Sequence, residues 1–416
     1  MDFRDTPDEA AFRDELRGWL ASALPPDWAE RDPHVGRWDF EQARGWTRKL
    51  FEAGYSGLSW PVEYGGRGMS PTYQAIYLEE MAKADAPDHI GVIGLGMAGP
   101  TIMAHGTPEQ KRDHLRGILS GETIFCQGFS EPGSGSDLAS VRTRAERDGD
   151  EFVVNGQKVW SSYAHVADWC ILLTRSEVTG ERASQGAPGA RGAERARSRA
   201  IGQSEPGAAK HRGLTYLLLD MHAPGVEVRP LRQITGDPEF NEIFLTDVRV
   251  PVSKVVGEIG GGWQVAMTTL LHERGTLGFA LTARLEVLFR RLLVTATKTG
   301  ASADPVVRDR IADLWVDLQG LKFTNYRSLT MLVKTGVPGP EGSVAKLHWS
   351  EANQRLTTLA VELLGPDGQL SGEGGFWGGY WQYQQLRSRG NTIEAGTSEI
   401  LRNIVAERVV GLPRSR

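Results

Sequence analysis

The chain has 416 residues, enough for two or three domains around a large core. Its formal net charge of −5 gives no electrostatic basis for nucleic-acid binding, and no apolar run reaches the roughly 18–20 residues that span a bilayer. Cys126 and Cys170 are its only thiols, too few for a disulfide framework or a metal cluster. The acidic opening MDFRDTPDEAAFRDEL has neither a signal-peptide nor an Arg-rich transit pattern, so a cytoplasmic protein with no metal site is expected.

Residues 1–122 read as helical. Asp8 can cap a segment in which Phe12, Leu16, Trp19 and Leu20 recur at helical spacing. Further helices are predicted from Phe40 to Ala53, Pro71 to Ala84 and Pro108 to Leu119. The run GLGMAG at 94–99 fits G-x-G-x-x-G letter for letter, but it follows the helical pattern YQAIYLEEMAKAD and precedes a proline. A dinucleotide loop needs a strand before it and a βαβ unit around it, so that reading is set aside.

From 123 to about 256 the period changes to short β-branched or apolar runs bounded by Gly, Pro, Asn and Asp. Residues 126–163 are the most informative stretch. A Ser130-Glu131-Pro132 loop runs through Gly133-Ser134-Gly135-Ser136 to Asp137. A β-hairpin follows, Val141 to Arg147 and Glu151 to Ser162 around Asp148-Gly149-Asp150, and it leaves through Trp160-Ser161-Ser162. Glycines let backbone N–H groups approach an anion, serine hydroxyls donate to it, and a tryptophan covers a flat ring. The set suits an electron-poor ring with a phosphate tail. Between two predicted strands, Thr179 to Arg212 is crowded with Ala, Gly and Arg and has no aromatics. It reads as a mobile surface loop, with a basic strip touching a partner or an anionic phosphate group as the alternative.

From Trp263 the chain is helical again, with breaks near 300–304, 336–342 and 365–379. Ala266, Leu270, Leu277, Leu281, Leu288 and Leu292 form an apolar stripe, and Glu273 lies on it. Such a carboxylate is either buried beside a pocket or held by a cation at the surface. Arg274 is adjacent, and neighbouring helix positions pair poorly.

The 126–163 segment resembles the flavin-binding signature of the acyl-CoA dehydrogenase family. The similarity continues through Trp60-Pro61, Tyr64-Gly65-Gly66, NEIFLTDVRVP at 241–251 and NTIEAGTSEILRNIVAERVVGLP at 391–413. It implies an α+β fold with an N-terminal helical domain (1–122), a small β-barrel-like domain (123–256) and a C-terminal four-helix bundle (257–416). It also implies FAD-dependent oxidation of an acyl-CoA to the 2-enoyl-CoA, with electrons passed to an electron-transfer flavoprotein. In that reaction a base takes the Cα proton while hydride leaves Cβ, and the base works best desolvated, with its pKa raised.

Many members carry the base just before a Gly-Thr pair. Here that pair is Gly396-Thr397, preceded by Ala395, and Glu394 is one residue too early. Isovaleryl-CoA, long-chain and some sterol side-chain enzymes place it on the helix in a Glu-Arg pair, which HERG at 272–275 matches, so the resemblance points to Glu273. By the same carry-over, the Ala395 N–H bonds the thioester oxygen as an oxyanion donor. Gln127, Phe129 and Ser130 line the flavin edge, Trp160 covers a ring face, Ser162 bonds near N5, and Thr397 and Glu399 touch FAD farther along. Ser136 contacts the CoA arm, Arg274 supports the thioester end, and Gly94, Gly96, Ala98 and Gly99 leave room in the acyl pocket.

Two family elements that reach a neighbouring subunit's FAD are missing. ATKTGASADPVV stands in place of an Arg-x-x-Phe-Gly stretch, and Glu362 stands in place of a glutamine. The resemblance therefore leaves two assemblies, an α2β2 heterotetramer with a paralogous subunit or a homo-oligomer that binds the pyrophosphate differently. Rival functions are a non-catalytic structural subunit and a flavin-dependent acyl-CoA oxidase. No G-x-S-x-G elbow supports a hydrolase.

Overall fold

The structure is a computed structural model describing residues 4–26, 28, 39–176, 210–275, 277–336 and 339–413, with the side chains at 273–275, 277 and 373 left outside the description. Most of the stretch expected as a surface loop, up to residue 209, therefore lies outside the described residues.

Helix α1 (Pro7–Ala23) begins at Thr6, whose hydroxyl accepts from the Glu9 N–H while the Glu9 carboxylate accepts from the Thr6 N–H. This reciprocal cap displaces the expected Asp8 cap. Pro7 has no N–H to offer and a φ suited to the first helical position, so the helix starts two residues earlier and Asp8 falls inside its first turn. Helices α2 (Phe40–Glu52) and α3 (Pro71–Lys83) close over Phe12, Leu16, Leu20, Trp46 and Leu50.

GLGMAG forms a π-helical turn, Gly94–Ala98, leading into α4 (Gly99–His105), with no strand before it. A Cβ on Gly99 would lie 2.2 Å from the Trp60 ring, and one on Gly94 would lie 3.1 Å from Ile118. Smallness at these two positions lets Trp60 and Ile118 pack closely. Gly96 differs, because a Cβ there meets nothing within 4 Å. Helix α5 (Pro108–Ser120) follows.

Seven strands among the described residues form one curled sheet: β1 (Phe125–Gly128), β2 (Arg144–Asp148), β3 (Glu151–Ser162), β4 (Trp169–Arg175), β5 (Leu214–Asp220), β6 (Val226–Leu231) and β7 (Phe240–Pro251). The order is β1-β4-β2-β3-β7-β6, with β5 also on β4. Strands β2 and β3 make the expected hairpin, and Gly149 supplies the positive φ of its turn. The long β3–β7 ladder shifts register twice, between Val154 and Gly156 and between Lys158 and Ser161. Bulges of this kind raise local twist, which lets the sheet curl. One core packs sheet residues Phe125, Ile171, Leu173 and Tyr216 against the helices. A second fills the inside of the curl with Val154, Cys170, Leu172, Leu217 and Ile243.

The residues of the apolar stripe fall on α6 (Gly262–Gly275) and α7 (Leu277–Lys298), and residue 276 between them lies outside the described residues. Ala266 and Leu270 pack with the sheet-side core, whereas Leu288 and Leu292 enter a different one. The two halves of the stripe therefore pack into different cores. Helix α7 bundles with α8 (Pro305–Thr335), α9 (Glu341–Leu363) and α10 (Tyr380–Asn391) around Leu318, Trp349, Leu356 and Trp381. A short α11 (Ser398–Ile404) follows and runs on into a π-helical turn, Val405–Val410.

Candidate active site

The Ser-Glu-Pro loop is held from below. Lys158, fully enclosed on β3, donates from Nζ to the Glu131 carboxylate at 2.8 Å and to the Phe129 carbonyl at 3.1 Å. Glu131 also accepts from the Arg142 N–H, the Thr143 N–H and the Thr143 hydroxyl. Burial pushes the Glu131 carboxyl upward, but the Lys158 charge and these hydrogen bonds outweigh it and hold the group below its ordinary value. Burial pulls the Lys158 ammonium below its usual value, against the opposing pull of Glu131. The Ser130 carbonyl accepts from the Val159 N–H at 2.9 Å, so the start of the loop is stitched to β3.

Above this base, Gly133 and Gly135 have open space where a Cβ would stand, and Ser136 is exposed. Trp160 is 60% exposed and has a φ of 62°, with its ring edge on Phe240. It is a large aromatic left open to solvent in a left-handed conformation that costs roughly 1–2 kcal/mol. It lies in the register shift between Lys158 and Ser161. Half-buried Gln127 and Ser162 and buried Phe129 sit on the same strands and loop. Exposed ring, open glycines and serine hydroxyls together fit a planar cofactor with a phosphate tail.

Helix α6 is fixed to this platform. Thr269 Oγ1 bonds Thr101 Oγ1 at 2.8 Å and the Tyr216 hydroxyl at 3.1 Å, and Tyr216 meets Phe129 edge-on. Glu273 follows Thr269 by four residues, about one turn, so it belongs to the same helical face. The side chains of Glu273 and Arg274 lie outside the described residues.

The 391–397 loop follows α10 and leads into α11. Ala395 has a φ of 52° and Gly396 one of 98°. Among the described residues, the Ala395 N–H has no hydrogen-bond acceptor. Thr397 caps α11, its Oγ1 accepting from the Ile400 N–H, and Glu399 is exposed in the first turn. Glu394 is occupied, because its carboxylate accepts from Arg387 at 2.9 Å and from Asn391 at 2.7 Å. Arg387 also faces Glu239, whose carbonyl accepts from the Tyr163 N–H just past Trp160, so one arginine ties the loop to the Trp160 turn.

Sequence reasoning assigned no role to Lys158, Glu131, Arg387 or Lys346. One signal was available for Lys158, a charged residue in the inward register of Phe152 and Val154.

Three family descriptions match the chain: the acyl-CoA dehydrogenase N-terminal domain at 6–122, its middle domain at 126–191 and its C-terminal domain at 260–410. The chain is 40% identical over 413 residues to acyl-CoA dehydrogenase IpdE1 of Mycobacterium tuberculosis, covering 98% of each. Among solved structures, the Tcur3481-Tcur3483 steroid ACAD is similar at a TM-score of 0.81 and 32% identity, with both chains fully covered. The ChsE4-ChsE5 complex of Mycobacterium tuberculosis is similar at 0.81 and 30%, again over the whole of both chains. The chain belongs to the acyl-CoA dehydrogenase family, whose members are oxidoreductases acting on acyl-CoA and generally FAD-dependent. Among the described residues, no helix is long and apolar enough to cross a membrane.

Proposed function

We propose that this chain oxidises a bulky, sterol-derived acyl-CoA to its 2-enoyl-CoA, with Glu273 as the base that takes the Cα proton. The observation that carries the assignment is the engagement of Glu394 by Arg387 and Asn391, which leaves the helix carboxylate to do the work. The Ala395 N–H, without an acceptor among the described residues, donates to the thioester oxygen and stabilises charge as the proton leaves, and Arg274 supports that end of the substrate. Gln127, Phe129, Ser130, Trp160, Ser162, Thr397 and Glu399 hold FAD, and Ser136 holds the CoA arm. When bound, FAD supplies a two-electron acceptor for the hydride from Cβ. An electron-transfer flavoprotein then takes the electrons.

The bulky substrate is supported by the steroid ACAD likeness and by the helix-borne carboxylate. Turnover of straight-chain, branched and steroid-side-chain CoA thioesters, followed with an artificial electron acceptor, tests both parts. Glu273→Gln should lose about 10³-fold or more in kcat with FAD retained, and Glu394→Gln should stay within about tenfold. The reverse ranking would overturn the assignment, and a preference for straight chains would overturn the substrate class. Peroxide release under air would identify an oxidase instead.

For the assembly, an α2β2 heterotetramer is the reading adopted. Glu362, at the position where the family uses glutamine, is paired with Arg310 at 2.7 Å and so is committed within its own subunit. A stable homotetramer holding one FAD per chain would rule this out.

A further inference from the structure

We propose that Lys346 is a positioning residue that aims the Ala395 N–H at the substrate carbonyl, an inference resting on the oxyanion role given to that N–H above. Lys346, on α9, is only 5% exposed. Its Nζ donates to the Asn391 carbonyl at 2.7 Å and to the Gly396 carbonyl at 2.8 Å. These two carbonyls bracket the loop on either side of Ala395, and one ammonium therefore fixes the span between its ends.

The loop needs such a restraint. Alanine disfavours positive φ, and Gly396 beside it is free to leave its conformation. A charged donor on two carbonyls is stronger than neutral bonding, and a buried ammonium holds its acceptors because it has no water to turn to. Asn353 donates to the Asn391 side-chain carbonyl at 2.8 Å, and the Asn391 amide donates to Glu394. The peptide carrying the Ala395 N–H is thus held from the helix behind it. The N–H itself carries no internal bond among the described residues that would hold its direction. Direction must come from the carbonyls around it.

The test uses the FAD-loaded protein and an acyl-CoA analogue with sulfur in place of Cβ. Such a compound can lose its Cα proton but offers no hydride, and its enolate beside oxidised flavin gives a long-wavelength charge-transfer band. The pH dependence of that band gives the analogue's apparent pKa on the enzyme. Lys346→Met should raise this pKa by about one to two units and lower kcat roughly ten- to a hundredfold, with KM changed less than about threefold. Lys346→Arg should recover part of both.

Thr295→Val, which cuts a buried bond from Trp381 elsewhere in the bundle, should lower the melting temperature without moving the band's pKa. Should Lys346→Met fail to load FAD, Asn353→Ala loosens the same loop at Asn391 and should shift the pKa in the same direction. An unchanged pKa in the variant that loads FAD overturns the proposal. A wild-type protein that binds the analogue without any band overturns the underlying reading of the site instead.

Discussion

Lys158 and Glu131 meet at 2.8 Å beneath the loop proposed to hold the flavin, joining strand β3 to a segment 27 residues earlier in the chain. Neither group has much water around it, and each is the other's counter-charge. Lys158→Met removes one partner and leaves Glu131 facing its remaining donors alone. We expect a loss of about 3–5 kcal/mol in stability. FAD retention should fall with it, read as flavin-to-protein ratio after gel filtration alongside denaturant unfolding.

Acid should act through the same pair. Because the Glu131 carboxyl is held below its ordinary value in the folded protein, its stabilisation is complete above the unfolded carboxylate value of about 4.3. It is lost as the pH falls through the lower, folded value. Glu131→Gln should therefore be less stable than wild type at neutral pH, and the gap should narrow as the pH drops below about 4.3. Flavin fluorescence and thermal unfolding across that window would check this, and a gap independent of pH would contradict it.

Trp160 sits exposed at a φ of 62°, so its removal should cost the fold little. Glycine relieves the left-handed strain while adding freedom to the unfolded chain, and the two effects roughly offset. We expect Trp160→Gly to leave apo stability within about 1 kcal/mol of wild type. The same change should weaken FAD binding by about tenfold, the worth of an aromatic contact on one ring face, measured by titrating cofactor into apoprotein.

Gly96 and Gly99 should respond in opposite ways to the same methyl group. Gly99→Ala drives a Cβ to 2.2 Å from the Trp60 ring, an overpacking that costs about 1–3 kcal/mol. Gly96→Ala meets nothing within 4 Å, and alanine suits a helical backbone better, so stability should rise by about 0.5–1 kcal/mol. If Gly96 lines the acyl pocket, the same variant should raise KM for bulky thioesters and leave short ones unaffected.

The amino-acid pattern alone delimited the helices Phe40–Glu52, Pro71–Lys83 and Pro108–Ser120 to within a residue or two, along with the β2–β3 hairpin. It also marked the Ser-Glu-Pro loop and the apolar stripe on which Glu273 lies. These signals are local, since apolar period, caps and turn residues act within a few positions along the chain. Even there, the alternative between Thr6 and Asp8 as the first cap turned on the hydrogen-bond geometry of one turn.

What only tertiary structure decided are the contacts between distant segments. Lys346 reaches carbonyls 45 and 50 residues away, Arg387 links the 394 loop to Glu239, and Gly99 is small because Trp60 lies against it. The stripe around Glu273 looked like one surface, yet Ala266 and Leu288 face different cores. A residue's period says which side of its own element it occupies. Which neighbour fills that side depends on how the whole chain closes, and that is settled by packing and charge pairing between parts that sequence distance does not connect.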